Sequence, residues 1–147
     1  MNMVRVGAVM LLLIFSHDAG AQGRFVARLM LPTGQTAVVA EGDFEARSIG
    51  SFSVRIYESA PAPNETTFFT AGLIRHRDGS VEKVMLADVD GDRQAEIIVV
   101  VRSAGSGGYL SAHALAFTND GLSFRAGVEG LPPDADPVVA LRESNIG

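Results

Sequence analysis

The sequence of 147 residues contains no cysteine, so the chain can form no disulfide. Small secreted domains often depend on disulfides for their stability. Without them, this chain must be held together by its hydrophobic core, by a partner subunit or by a metal. The absence of cysteine also excludes a lipid anchor attached to a cysteine at a cleavage site.

The sequence also lacks a basic charge balance, because its formal net charge is −5. Nucleic acid requires a basic surface, so we expect no nucleic-acid partner. An acidic chain is instead suited to a cationic protein partner.

The apolar run Val6–Phe15 is only about half as long as the roughly 20 residues that span a bilayer. A retained membrane anchor is therefore not expected.

The N-terminus has the three parts of a secretory signal peptide. A positively charged start with Arg5 precedes the run Val6–Phe15, and the small residues Ala19–Ala21 have the form of a cleavage site. We predict a signal peptide over residues 1–21 and one domain over residues 22–147, with no membrane association after cleavage. Together with the absence of disulfides, this favours the periplasm of a Gram-negative bacterium.

Sequence motifs for catalysis are absent. Ser106 has Ala104 two residues before it, so the Gly-x-Ser-x-Gly pattern of a nucleophile elbow is not met. The surrounding glycines do not fit the dinucleotide fingerprint, and no helix is predicted after them. His76 and His113 lie on predicted strands, where structural roles are common. Carboxylate spacing does not identify a glycosidase pair, and we predict that the protein is not an enzyme.

Short β patterns separated by turn signals run through the rest of the chain. Apolar and polar residues alternate over Phe52–Tyr57, whereas Glu96–Val101 is a nearly continuous apolar run typical of a buried strand. The predicted strands are Phe25–Leu31, Gln35–Ala40, Phe52–Tyr57, Thr66–His76, Val81–Ala87, Glu96–Arg102, Tyr109–Thr118 and Leu122–Ala126. They predict an all-β fold, a single-domain antiparallel β-sandwich or flattened barrel of about eight strands.

Turn residues predict how these strands connect. Pro32–Gly34, Arg77–Ser80 and Asn119–Gly121 are each expected to close a hairpin. Glu41–Arg47 is a polar connection without helical periodicity, and Ala60–Asn64 is a surface loop because its prolines cannot continue a strand ladder. The tail Leu131–Arg142 is compatible with both a helical turn and a last edge strand.

A group of carboxylates between two predicted strands has the pattern of a calcium loop. Asp88, Asp90 and Asp92 stand at alternate positions, and Glu96 begins the next strand. Ca²⁺ takes 6–8 oxygen ligands from loops of this kind. The pattern resembles the calcium loops of integrin-type propeller repeats and the first half of an EF-hand loop. However, Arg93 stands where the propeller loops favour glycine, and no glutamate follows at EF-hand spacing.

Two interpretations of this loop remain open. The carboxylates can bind Ca²⁺, which would indicate a calcium-dependent extracytoplasmic binding or adhesion module. Alternatively, the aspartates hydrogen-bond to the amides of their own turn, as aspartate commonly does. Ca²⁺ is therefore a candidate cofactor, and no cofactor is required by the sequence.

The segment Arg102–Tyr109 follows the most apolar strand of the mature chain. Glycines at positions 105, 107 and 108 allow positive φ angles, as a tight turn requires. Tyr109 ends the segment with a ring and a polar tip suited to an exposed contact. The pattern is typical of a hairpin connection, and it also fits a slim loop that enters the cleft of another molecule.

Three stretches of the chain resemble one known family. Val39–Arg55 is similar to the N-terminal half of the periplasmic inhibitors of invertebrate-type (i-type) lysozyme. Asp88–Val101 also fits that family. Ser106-Gly107-Gly108-Tyr109 matches its Ser-Gly-x-Tyr signature, and the three stretches occur in the family's order over most of the mature chain.

The resemblance implies a β-sandwich-like periplasmic protein, often a homodimer, that evades host defence by binding lysozyme and blocking its cleft. In this chain, Ser106 would hydrogen-bond the catalytic carboxyl groups, and Tyr109 would place its ring and hydroxyl at the cleft wall. Gly107 and Gly108 would keep the loop thin enough to reach the cleft floor. The resemblance brings no metal with it, so the role of Asp88–Glu96 stays open.

Overall fold

The computed structural model describes residues 23–59, 62 and 67–145. The predicted signal peptide, residues 1–21, lies outside these ranges. Most of the predicted surface loop Ala60–Asn64 also lies outside them. In the ranges that are described, no helix has the length and apolar character needed to cross a membrane.

Within the described residues, the chain forms eight strands and one helix: β1 (Val26–Met30), β2 (Thr36–Glu41), β3 (Ile49–Tyr57), β4 (Phe69–Asp78), β5 (Ser80–Ala87), β6 (Glu96–Arg102), β7 (Leu110–Thr118), β8 (Gly121–Leu131) and α1 (Pro137–Ser144). They build two four-stranded antiparallel sheets with the orders β1-β2-β3-β4 and β5-β6-β7-β8. The predicted β-sandwich is confirmed. Over the same residues the two sheets remain separate, so the alternative of a closed, flattened barrel is wrong.

Strand β6 is buried on both of its faces. Ile97, Val99 and Val101 pack between the two sheets with the apolar side of β3. Ile98 and Val100 face the other way, into a second cluster that includes residues of α1. Burial on both faces explains why this strand is a continuous apolar run, whereas β3, with one face outward, alternates.

The C-terminal tail forms a helix rather than an edge strand. Asp136 caps the helix, because its carboxylate accepts hydrogen bonds from the backbone N–H groups of Val138 (2.9 Å) and Val139 (3.3 Å). Pro137 occupies the first turn, where the missing N–H has no cost. Leu141 is fully buried against the outer face of the second sheet. The helix thus covers that face.

The predicted hairpin at Arg77–Ser80 is wrong, because β4 and β5 belong to different sheets. The chain crosses between the sheets at Gly79, which has a φ of 117°. A Cβ atom at this position would overlap the carbonyl oxygen of Arg102, so the close approach requires glycine. The turn residues predicted the change of direction correctly. They carry no information about which sheet the next strand joins.

Arg77 belongs to β4 rather than to a turn, and it is only 1% exposed. Its guanidinium donates hydrogen bonds of 2.7–2.9 Å to four backbone carbonyls, those of Ala46, Arg47, Ser51 and Gly79. The segment between β2 and β3 is therefore attached to the point where the chain changes sheets.

His113 on β7 lies among aromatic rings between the sheets. Its ring contacts Phe52 edge-to-face at a centroid distance of 5.2 Å and Phe124 at 6.4 Å. The guanidinium of Arg75 lies 3.6 Å over the ring of Phe124. Burial is the main cause that lowers the pKa of His113, and the positive charge of Arg75 is the second; together they lower it to about 4.

We therefore expect His113 itself to contribute a loss of stability in acid, which a variant without its imidazole isolates from the other titrating groups. The unfolded chain binds a proton at His113 near pH 6.5 and the folded chain only near pH 4, so stability falls as the pH decreases through this interval. Allowing for the partial exposure of the ring, the loss is about 2 kcal/mol. His113→Phe should remove it, as measured by urea unfolding at pH 7.5 and pH 4.

His76→Phe, at an exposed position on β4, is the control. It should leave the difference in unfolding free energy between the two pH values as it is in the wild type. An equal pH dependence in His113→Phe and the wild type would contradict the assignment.

Candidate functional site

The loops of the sandwich fall into two groups at its opposite ends. At one end are the connections β2–β3, β4–β5 and β6–β7, because Ile49 pairs with Asp78 and Ser80 pairs with Arg102. At the other end are β1–β2, β3–β4, β5–β6 and β7–β8. We call residues 42–48 the Phe44 loop, residues 103–109 the glycine loop and residues 88–95 the aspartate loop. The first two share one end, and the aspartate loop lies at the other.

The glycine loop joins β6 to β7, which confirms the predicted hairpin. The backbone N–H of Ser103 donates to the carbonyl of Tyr109 at 2.8 Å, and that of Gly108 donates to Gly105 at 3.4 Å. The hydroxyl oxygen of Ser103 accepts a hydrogen bond from the N–H of Gly105 at 3.2 Å. The loop is therefore closed by its own hydrogen bonds, and its shape does not depend on a partner.

Ser106 lies exposed in this loop, and Tyr109 is about half exposed, at 52%. Gly107, with a φ of 106°, lies directly against the tyrosine ring, since a Cβ there would come within 2.9 Å of its Cε2 atom. The ring thus rests on bare backbone. The structure brings the predicted residues Ser106, Gly107, Gly108 and Tyr109 together on one exposed hairpin.

Arg102 and Glu82 support the glycine loop. Sequence reasoning named Arg102 as the start of the segment but identified neither its supporting role nor Glu82. Arg102 donates from Nε and Nη2 to the two carboxylate oxygens of Glu82 at 2.8 and 3.0 Å. Its Nη1 donates to the carbonyl oxygen of Gly108 at 2.9 Å. A two-point contact of this kind fixes both position and orientation. Glu82 lies at a bulge of β5, and a bulge has no clear sequence signal.

The aspartate loop brings its predicted ligands together. One ligand oxygen from each of Asp88, Asp90, Asp92 and Glu96 lies within 4.8 Å of the others. Arg93 has a φ of 69°, a left-handed conformation that favours glycine. Arg93 thus adopts, without being glycine, a conformation that suits the glycine of the propeller loops it resembles.

The same carboxylates also hydrogen-bond to the backbone of their own turn. Asp88 accepts from the N–H groups of Gly91 and Arg93 at 2.8 and 2.9 Å. Asp90 and Asp92 each accept from the residue two positions further on, at 3.1 and 2.8 Å. The aspartates therefore hydrogen-bond to the amides of their own turn, as one of the two interpretations of the sequence predicted. In this arrangement their carboxylate oxygens still lie close together.

The electrostatics of the aspartate loop centre on Glu96, which is only 2% exposed. One of its oxygens accepts from the N–H of Val89 at 2.8 Å. Burial, together with the like charges of the three aspartates, raises the pKa of Glu96 to about 7. Burial also raises the pKa of Asp90. A cation placed among these groups would favour their charged forms.

The fold and the braced, exposed hairpin place the chain in the class of β-sandwich proteins that present a preformed loop at one end. Within that class, the chain belongs to the family of periplasmic lysozyme inhibitors of I-type lysozyme (PliI), whose profile matches residues 23–145. The family is one of inhibitor proteins. A search of curated protein sequences finds no match.

Two solved structures show the same similarity. The periplasmic lysozyme inhibitor of I-type lysozyme from Aeromonas hydrophila is 45% identical, with a TM-score of 0.73, over 80% of this chain and 98% of that chain. The Aeromonas hydrophila PliI in complex with Meretrix lusoria lysozyme is 46% identical, also with a TM-score of 0.73, over 80% of this chain and 95% of that chain.

Proposed function

We propose that this protein inhibits i-type lysozyme in the periplasm by inserting the glycine loop into the active-site cleft of the enzyme. The observation that carries the proposal is the exposure of Ser106 and Tyr109 on a hairpin closed by its own hydrogen bonds and braced by Arg102. Membership of the inhibitor family supports it, as does the complex of a related inhibitor with a lysozyme. Protection of the bacterium against a host defence enzyme follows as the biological role.

The physical chemistry of the loop suits this mechanism. A preformed loop loses little conformational entropy on binding, so more of the contact energy appears as affinity. The backbone at Gly107 has no side chain, which keeps the tip of the hairpin thin. A lysozyme cleaves with carboxyl groups, to which the Ser106 hydroxyl would donate a hydrogen bond. The Tyr109 ring would be an aromatic anchor at the cleft wall.

Two substitutions test the loop. Ser106→Ala should weaken inhibition of an i-type lysozyme about tenfold, because a hydrogen bond to a charged group contributes about 1.5–3 kcal/mol. Tyr109→Ala should weaken it about 30-fold or more, as loss of an aromatic anchor costs about 2 kcal/mol or more. The measurements are inhibition constants from a cell-wall lysis assay and melting temperatures.

The melting temperatures should stay close to that of the wild type, because Ser106 and Tyr109 are outside the buried core. Ser123→Ala, at an exposed position on β8, is the matched control and should inhibit normally. Full inhibition by the Ser106/Tyr109 double variant would rule out the loop mechanism.

We also propose that the protein is a homodimer, as the family resemblance implies. The outer face of the first sheet supports this proposal, because among the described residues no helix lies on it as α1 lies on the second sheet. It exposes Ile74 at 71%, Phe69 at 61% and Met30 at 53%. Light scattering on a sizing column should give twice the mass of one mature chain, and a monomer mass at micromolar concentration would refute the dimer.

The second candidate function is calcium-dependent binding or adhesion through the aspartate loop. We propose it because the buried carboxylate of Glu96 lies among three aspartates within 4.8 Å. Asp88, Asp90, Asp92 and Glu96 would be the ligands. Oxygen-rich sites of this kind suit Ca²⁺, and the cation would supply the positive charge that a buried carboxylate needs.

Titration calorimetry with Ca²⁺ tests this site. The wild type should release or absorb heat on binding and should melt at a higher temperature in Ca²⁺ than in EDTA, because the ion binds the folded state. Asp90→Ala should lose both effects. Asp120→Ala, in the β7–β8 turn at the same end, is the control and should keep them. No heat and no change in melting temperature for the wild type would exclude calcium binding.

A further inference from the structure

Phe44 is the most exposed large apolar side chain of the described residues, at 105% relative exposure. It stands in the middle of the Phe44 loop with a φ of 63°. A left-handed backbone conformation is costly for a bulky residue. Phe44 therefore combines two unfavourable features, an aromatic ring in water and a strained backbone.

The hydrogen bonds of the neighbouring residues hold this conformation in place. The carboxylate of Glu45 accepts hydrogen bonds from the backbone N–H and the hydroxyl of Ser51, the latter at 2.6 Å. Arg24 donates to the carbonyl oxygen of Glu45. Arg77 donates to the carbonyl oxygens of Ala46 and Arg47 at 2.9 and 2.8 Å. The loop is rigid around Phe44 while the ring itself projects into solvent.

The Phe44 loop adjoins the glycine loop through Gly79. The N–H of Gly79 donates to the carbonyl of Ser48 at 2.8 Å, at the end of the Phe44 loop. On its other side, Gly79 lies against Arg102 and Ser103, where the glycine loop begins. The two loops thus stand on the same end of the sandwich and share one contact residue.

The size of protein interfaces requires contacts beyond the glycine loop. A specific interface buries about 800 Å² and about 20 residues or more on each partner. A single short hairpin is too small for this, so neighbouring surface at the same end must contribute. Strained residues that the fold itself does not need are concentrated at binding sites. Phe44 is a strained residue of this kind, and it lies at the end of the sandwich where surface beyond the glycine loop must contact the partner.

We propose that Phe44 is a second anchor for the lysozyme, inserted into an apolar pocket beside the cleft that receives the glycine loop. This inference rests on the proposed function. The occupant is the lysozyme, because the Phe44 loop is continuous with the loop that enters its cleft. A fixed backbone with a projecting ring matches the anchors that dominate binding energy in protein interfaces.

Phe44→Ala tests this anchor. Because the ring is fully exposed, the variant should fold and melt like the wild type, yet its dissociation constant for an i-type lysozyme should rise about tenfold or more. Phe44→Tyr keeps the ring and should bind nearly as well as the wild type. Binding is measured by calorimetry, alongside the oligomeric state by light scattering.

Phe68→Ala is the matched control. Phe68 is 82% exposed, but it lies in the β3–β4 connection at the opposite end of the sandwich. The Phe68→Ala variant should bind the lysozyme with wild-type affinity. An equal loss in Phe68→Ala and Phe44→Ala would show that exposed apolar area alone matters, and would overturn the assignment to Phe44.

The outcomes separate this inference from the proposed function. If Ser106→Ala and Tyr109→Ala weaken binding and Phe44→Ala does not, the anchor is wrong and the loop mechanism stands. If the wild type binds no i-type lysozyme, both are wrong. If Phe44→Ala changes the oligomeric state, the ring belongs to a contact between two copies of the chain, and the inference is overturned.

Discussion

The buried guanidinium of Arg77 is the interaction on which one end of the molecule depends. A buried charge is costly unless it is fully hydrogen-bonded, and here four backbone carbonyls accept from it. Glu45 adds a carboxylate oxygen 3.6 Å away. These contacts join the Phe44 loop, the start of β3 and the crossing between sheets. Removing Arg77 would take one hydrogen bond from each of those carbonyls, so the end of the sandwich is organised as a unit.

This arrangement gives a chain without disulfides a rigid surface. The hydrophobic core between the sheets holds the strands, and Arg77 and Arg102 hold the loops that leave them. Both arginines act on backbone carbonyls, which every residue supplies. The shape of the loops therefore does not depend on the side chains at their tips, which are those of Phe44, Ser106 and Tyr109. A loop whose shape is fixed by its base can present its tip to a partner without prior ordering.

The two ends of the sandwich have different chemistry. One end presents rings and a hydroxyl on loops fixed by arginines, and the other presents the carboxylates of the aspartate loop. Glu96 begins β6 and Arg102 ends it, so the most buried strand connects the aspartate loop to the glycine loop.

The sequence by itself determined the number of strands, the class of fold and the residues of the glycine and aspartate loops. Alternation in β3, the apolar run of β6 and the glycines before Tyr109 are local patterns, and local patterns set local structure. The tertiary structure decided the rest. The sheet that β5 joins, the burial of Arg77 and the pairing of Arg102 with Glu82 depend on residues far apart in the chain. Turn and strand signals describe only near neighbours, whereas the partner of a strand or a charge is chosen by packing of the whole chain.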